Sequence, residues 1–295
     1  MPVTAWARIA PGAFVLIWST GFIGPRYAFP YAAPLTLLGV RMSLAAAVFA
    51  VLMIALRAPR IHRREQYPQS ALIGVLLHAV YLGGVFLAIY LGLPVSVTAL
   101  VVCLQPLLVA ILAGPVLGER VRARQWAGFA LGFAGATIVL SPGLAQGSIP
   151  APAVIAVLVA LAGTTAATLL QKRWGDAIPP LAGTTVQYVA AAVVLMAVAA
   201  LTEPLAIDWT PTFVAVLSYM VIVLSVGAIL LMFWLIRRGT ASGFASLYFL
   251  VPPVTLLEAW VLFGETLTVL ALVGFATATM GVALVRAPRA IVETS

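Results

Sequence analysis

The chain has 295 residues, 63% of them hydrophobic and 8% charged, with a mean hydropathy of +1.14. Soluble domains run near a quarter charged, so a water-soluble fold is excluded. The formal charge of +8 does not mark a nucleic-acid binder, because the basic residues punctuate hydrophobic runs instead of gathering on one polar surface.

One bilayer crossing needs about 20 mostly apolar residues. Apolar runs of that length predict ten spans, at 8–29, 33–56, 69–91, 94–117, 124–141, 152–172, 179–202, 211–236, 240–263 and 267–286. The connectors are too short for an extramembrane domain, so the chain reads as one all-α integral membrane unit. MPVTAWARIAPG carries one Arg and runs into apolar sequence with no small-residue cleavage site, which reads as a retained first helix. The lone Cys103 lies inside an apolar run and has no partner for an intramolecular disulfide.

The connectors alternate in charge. Arg57, Arg60, Arg63 and Arg64 follow span 2, Arg120, Arg122 and Arg124 follow span 4, and Lys172 and Arg173 follow span 6. Arg237 and Arg238 follow span 8, and Arg286 and Arg289 follow span 10. With Arg8, fourteen of the sixteen basic residues fall on one side, which predicts an even number of crossings with both termini cytoplasmic.

The two halves share landmarks at an offset of 146. Ser96, Ala99, Pro106, Ala113, Gly118 and Glu119 match Ser242, Ala245, Pro252, Ala259, Gly264 and Glu265. Gly128, Phe129, Ala130 and Gly135 match Gly274, Phe275, Ala276 and Gly281, and Pro34, Leu35, Ala45 and Ala46 match Pro180, Leu181, Ala191 and Ala192. Chance apolar similarity aligns scattered Ala and Leu, but seldom Pro, Gly and Glu together, so the expectation is a duplication into 1–146 and 147–295. Each half has five crossings, an odd number, so the second half enters the membrane upside down. Such inverted repeats place a ligand site near the midplane, where the halves meet, and support alternating access.

The WSTGFIGPRYA run of span 1, Arg41 in span 2 and the paired P-x12-E segments ending GERVRARQWAG and GETLTVLALVG resemble the drug/metabolite transporter superfamily. Within it the chain is similar to the EamA-type ten-helix exporters, over roughly 12–286, and among these to the bacterial exporter of aromatic amino acids and methionine. The resemblance implies transport through a central cavity without ATP hydrolysis and leaves the substrate open. Relatives often carry an aromatic in span 6 where this chain reads LAGTTAATLL, so an aromatic wall there must come from another helix.

Several residues could carry the chemistry. Pro106 lies about 11 residues into span 4, and Pro252 and Pro253 about as far into span 9, which predicts breaks near mid-membrane. They free the carbonyls of Val102, Tyr248 and Phe249, either as ligand contacts or as a by-product of a packing kink. His78 and Tyr81, three apart at mid-membrane depth in span 3, should face protein or a wet cavity, as a satisfied interior pair or as a substrate or proton-responsive site. Gln105 with Thr98 in span 4, and Tyr248, Val251, Thr255 and Glu258 along one stripe of span 9, offer polar groups to a ligand. Trp18, Ser19 and Thr20 in span 1 and Thr164, Thr165 and Thr168 in span 6 could complete the walls, or simply bond back to helix carbonyls.

Arg41 and Glu258 lie roughly 12 Å and 9 Å below the outer ends of their helices, counting about 1.5 Å per residue. An unpaired membrane charge costs several kcal/mol, so they are expected to pair, directly or through water, when the outer gate is closed. The competing reading makes Arg41 a carboxylate-binding point and Glu258 a proton or amine site. Gly128, Gly132 and Gly135 in span 5, with Gly274, Ala278 and Gly281 in span 10, form small-residue faces for packing within a monomer or in a weak homodimer. Glu119 and Glu265 precede spans 5 and 10, where a carboxylate complements the helix dipole.

An intramembrane enzyme is the main rival. It lacks a second membrane carboxylate beside Glu258, a G-x-S-x-G elbow, a Cys and His ligand cluster and a phosphate loop, so neither catalysis nor a cofactor or metal is expected. A channel would need a continuous polar pore, whereas the candidate polar residues cluster at mid-depth. The sequence therefore predicts a secondary transporter in a bacterial inner membrane, with the lipid bilayer and a small metabolite as its partners. It exports amino acids above all, with aromatic or large apolar side chains, and another metabolite or drug class is the alternative.

Overall fold

The computed structural model describes residues 5–117, 123–145, 148–238 and 250–286, and these are helical almost throughout. The first half contains α1 (Ala5–Ala28), α2 (Pro34–Ala55), α3 (Gln66–Gly74) and α4 (Leu82–Tyr90). It continues with α5 (Val95–Val102), α6 (Gln105–Leu117) and α7 (Ala123–Ala145). The second contains α8 (Ala151–Trp174), α9 (Pro180–Thr202), α10 (Pro211–Tyr219), α11 (Ala228–Arg238), α12 (Val251–Phe263) and α13 (Val269–Arg286). A π-helical segment, Val75–Tyr81, joins α3 to α4, and another, Met220–Gly227, joins α10 to α11. Where the two halves' connectors meet, Ala32 and Ile207 form an isolated bridge, and the Asp208 amide donates to the Tyr31 carbonyl at 2.9 Å.

Each predicted apolar run overlaps one of these helices or a helix pair. Within lipid a backbone has no water to bond, so a long apolar run closes its hydrogen bonds as helix. Among the described residues, five stretches are long and apolar enough to cross a bilayer, namely Pro34–Ala55, Gln66–Tyr90, Ala151–Ala177, Pro180–Thr202 and Pro211–Met232. Proline stands in the first turn of α2, α8, α9, α10 and α12, where its missing N–H is no loss.

Span 4 is interrupted. The α-helix ends at Val102, Cys103 and Leu104 turn, and a new helix starts at Gln105–Pro106. Pro106 therefore opens α6 and has no amide to return to the Val102 carbonyl. In span 9, Pro252 and Pro253 likewise stand in the first turn of α12, so they open a helix instead of kinking its middle. Tyr248, Phe249 and Ser242 lie outside the described residues, as does Glu119.

Helix bounds recur at the offset seen in the sequence. α8 begins and ends 146 residues after α1, and α12 does so after α6. α9 and α13 begin 146 residues after α2 and α7, and the two π segments end 146 residues apart. Equivalent helices also pack on each other, α2 against α9 and α7 against α13.

The α7–α13 seam shows why its small residues are needed. A Cβ on Gly281 would sit 2.5 Å from both the Gly128 carbonyl oxygen and the Gly132 amide nitrogen. One on Gly135 would meet the Gly274 carbonyl oxygen at 2.5 Å and the Ala278 backbone. The two small-residue faces thus meet each other inside one chain, where close backbone approach replaces the hydrophobic drive that lipid removes.

Glu265 corrects one expectation. It does not cap the helix that follows it, but accepts from the amides of Val95 at 2.8 Å and Ser96 at 3.3 Å and from Ser96 Oγ at 2.6 Å, at the start of α5. Gly264, in the left-handed region at φ 67°, turns the chain after α12 and brings the carboxylate there. Arg26 lies 3.6 Å from the same carboxylate and 4.3 Å from the Phe263 ring centre. Glu203, which the sequence did not flag, caps α2 in the same way, through Leu35 N at 3.0 Å, Thr36 N at 2.8 Å and Thr36 Oγ1 at 2.9 Å.

Candidate functional site

A cavity that draws its walls from both halves lies between them. α1 contributes Trp18, Gly21 and Phe22 to its wall, and α2 contributes Arg41. The first π segment and α4 supply Leu77, His78, Tyr81, Leu82 and Val85. The second half adds Tyr188 from α9, Leu224 from its own π segment and Ile229 from α11. Rare π segments are frequent at functional sites, and here both face the cavity. Leu224 stands 146 residues after His78, so equivalent positions of the two segments both line the cavity.

Among the described residues Arg41 is the one cation in this lining, and it is 5% exposed. Its Nε donates to Ser225 Oγ at 3.1 Å, and among the described residues no carboxylate lies within ion-pair distance of it. The Tyr188 hydroxyl donates to the Ser225 carbonyl at 3.4 Å, and its ring lies 4.2 Å from the His78 ring, tilted by 33°. Phe49 backs Tyr188 at 5.1 Å, and Phe14 backs Trp18 at 5.3 Å. The result is a fixed guanidinium among aromatic faces, suited to an anionic group attached to an apolar body.

Of the residues singled out from sequence, Trp18, Arg41, His78 and Tyr81 come together here. Gln105, Thr98, Thr255 and Glu258 do not line the cavity. Gln105 Nε2 donates to Thr168 Oγ1 at 2.7 Å, tying α6 to α8. Thr98 Oγ1 donates back to the Pro94 carbonyl at 3.0 Å and Thr165 Oγ1 to the Leu161 carbonyl at 2.6 Å, so both hydroxyls serve their own helices. Thr20 Oγ1 lies 2.7 Å from the Ile17 carbonyl and 2.6 Å from the Tyr219 hydroxyl. Tyr248 lies outside the described residues.

Arg41 and Glu258 make no direct ion pair in this structure. Arg41 faces the cavity and reaches Ser225, whereas Glu258 Oε1 lies 2.7 Å from Ser19 Oγ, between α12 and α1. Equal depth along two helices does not bring two side chains to the same side of a bundle. Tyr188 and Ser225 were missed. The signal was available, since the offset of 146 carries Arg41 onto Gln187, a polar residue beside Tyr188. Among the described residues no group of three or more His, Cys, Asp or Glu is placed to hold a metal.

Apolar helices packed around a cavity that draws walls from both halves define a multi-pass membrane protein of the transporter class. The chain belongs to the EamA-like transporter family, whose model matches residues 12–141 and again 151–287. It is 28% identical over 279 residues to YvbV, an uncharacterized transporter of Bacillus subtilis, covering 92% of this chain and 88% of the relative. It is 30% identical to YedA, an uncharacterized inner membrane transporter of Escherichia coli, covering 87% and 82%. A probable amino-acid metabolite efflux pump of Salmonella typhimurium is 26% identical, covering 88% of each chain. A solved crystal structure aligns with a TM-score of 0.64 at 19% identity, over 94% of this chain and 96% of its own, a likeness of fold alone. The family and these relatives are transporters, and nothing points to catalysis.

Proposed function

We propose that the protein exports amino acids with aromatic or large apolar side chains from the cytoplasm by alternating access. The observation that carries this reading is the Arg41 guanidinium, held by Ser225 and left without a carboxylate partner among the described residues, in a cavity walled by Trp18, His78, Tyr81 and Tyr188. A ligand carboxylate satisfies the cation through charge-assisted hydrogen bonds. An apolar side chain packs on the rings, which favour flat faces and offer polar edges. His78 completes the polar end. The name of the Salmonella relative, an amino-acid metabolite efflux pump, supports the same substrate class.

Residues 1–146 and 147–295 act as two five-helix repeats of opposite orientation, with ten crossings and both termini in the cytoplasm of a bacterial inner membrane. Three observations support this: recurring helix bounds, equivalent helices packed on each other, and a family match in each stretch. Rocking one repeat against the other exposes Arg41 to each side in turn. The chain works as a monomer, since its small-residue faces are used internally.

Counterflow in proteoliposomes across an amino-acid panel tests this reading. Phenylalanine, tyrosine, leucine and methionine should exchange saturably, and His78→Ala should weaken the aromatic substrates most. A flat response across the panel contradicts the amino-acid proposal, and chemical turnover of any ligand would point to an enzyme.

A further inference from the structure

The second intramembrane charge remains. Glu258 stands on α12 outside the cavity lining, and its contacts raise a question of proton count. Ser19 Oγ lies 2.9 Å from the Leu16 carbonyl and 2.7 Å from Glu258 Oε1. A serine hydroxyl carries one proton and can donate to only one of them. If it donates to the carbonyl, the close approach of the two remaining oxygens requires a proton on the carboxyl, which then donates to Ser19. If Glu258 is ionised, the serine proton must turn to it. Glu258 Oε2 is meanwhile buried with no hydrogen-bond partner among the described residues, and so is Thr255 Oγ1, one turn earlier on α12. An ionised carboxylate with a bare oxygen inside a bilayer costs several kcal/mol, whereas a carboxylic acid satisfied through Ser19 does not.

We infer that Glu258 and Ser19 form a proton-binding site that couples export to proton entry, so that a proton moves inward in exchange for each substrate moved out. In the loaded state Glu258 donates to Ser19 Oγ and Ser19 donates to the Leu16 carbonyl. On release the proton passes to water on the open side, and the Ser19 hydroxyl turns to the carboxylate. The Leu16 carbonyl then keeps its helical partner, the amide four residues on. No bond other than O–H is made or broken.

Coupling to the cavity runs through α1. Ser19 follows Trp18, and Gly21 and Phe22 also line the cavity, so one helix carries both the wall of the substrate site and the partner of Glu258. α12 packs against α1 and α5. Among the described side chains on these elements, the other charged or titratable groups are engaged elsewhere. Arg26 is engaged with Glu265 and Phe263, Tyr27 packs on Phe263 at 5.3 Å, and Arg8 is near the start of α1. α5 carries none in Val95–Val102 and is followed by Cys103 at its C-cap.

The inference rests on the transport reading, and its test separates the two. Infrared difference spectra of the purified full chain in nanodiscs, between acid and alkaline pH, read the carbonyl stretch of a protonated carboxyl without any substrate. The wild type should show that band at neutral pH, and Glu258→Gln, a near-isosteric neutral replacement checked by its melting profile, should lack it. In proteoliposomes an inward pH gradient should drive phenylalanine transport by the wild type at least about tenfold above the no-gradient level, and Glu258→Gln should lose that response. An unchanged infrared band in the variant, an equal pH-gradient response, or a sodium gradient acting in place of protons would each overturn the inference. Wild-type counterflow without any response to pH would also overturn it while leaving the transport reading intact. Absent counterflow would overturn that reading, and the infrared result would still decide whether Glu258 carries the proton.

Discussion

Arg41 and Glu258 are the two charges placed deep in the predicted spans, and each meets a serine from another helix. Arg41 donates to Ser225 from a cavity wall, among rings that can receive a ligand. Glu258 meets Ser19 in a narrow contact between α12 and α1, outside that wall. The difference lies in chemistry as well as place. A guanidinium keeps its charge and needs an anion, which here can arrive and leave with the substrate. A carboxyl can lose its charge by taking a proton, so it tolerates a site with no cation. Both groups avoid the cost of an unpaired membrane charge, but by different routes.

Arg41→Gln should lower transport of amino acids by about a hundredfold, the effect of removing one partner from a buried charge-assisted contact, measured as counterflow at fixed substrate. A loss under threefold would mean that the guanidinium is structural. Gly281→Val, away from both charges, should wedge the α7–α13 seam and destabilise the protein by about 2 kcal/mol, seen as a lower melting midpoint in detergent. Its substrate preference should not change, which separates packing from recognition.

Tyr188→Phe removes the hydroxyl that donates to the Ser225 carbonyl and keeps the ring on His78. The expected effect is about a fivefold rise in the half-saturating substrate concentration, near 1 kcal/mol for one hydrogen bond. The smallest effect is a coupling. In a double-mutant cycle of Arg41→Gln and Glu258→Gln, scored on protein stability, the two changes should add to within about 0.5 kcal/mol, as sites without shared partners do. A larger coupling would restore the direct ion pair expected from their depths.

Much of the fold was legible because lipid leaves few choices. An apolar run of membrane length must be helical, and Pro106 and Pro252 opened helices because proline spares no amide. The offset of 146 showed in Pro, Gly and Glu landmarks and returned as matching helix bounds. The π segments were not legible, since hydrogen bonds five residues apart leave no mark in residue type, yet they carry His78 and Leu224 to the cavity. The site was half legible. Trp18, Arg41, His78 and Tyr81 stood out as polar or aromatic groups at depth, while Gln105, Thr98, Thr255 and Glu258 stood out for the same reason and do not line the cavity. Hydropathy and spacing fix height along a helix, but the side of the bundle a residue faces depends on neighbours that only packing sets. Glu265 shows the same gap, since it was read as structural from its position, and the helix it caps is one that only the tertiary fold brings near.

The claim that Arg41 reads the substrate carboxylate is tested most directly by a pair of ligands that differ in that group alone. Counterflow of phenylalanine should be compared with that of its decarboxylated amine, phenethylamine, in the wild type and in Arg41→Gln. The wild type should carry the amino acid and reject the amine, and the variant should lose that preference. An Arg41→Gln protein that still prefers phenylalanine by the wild-type ratio would contradict the account.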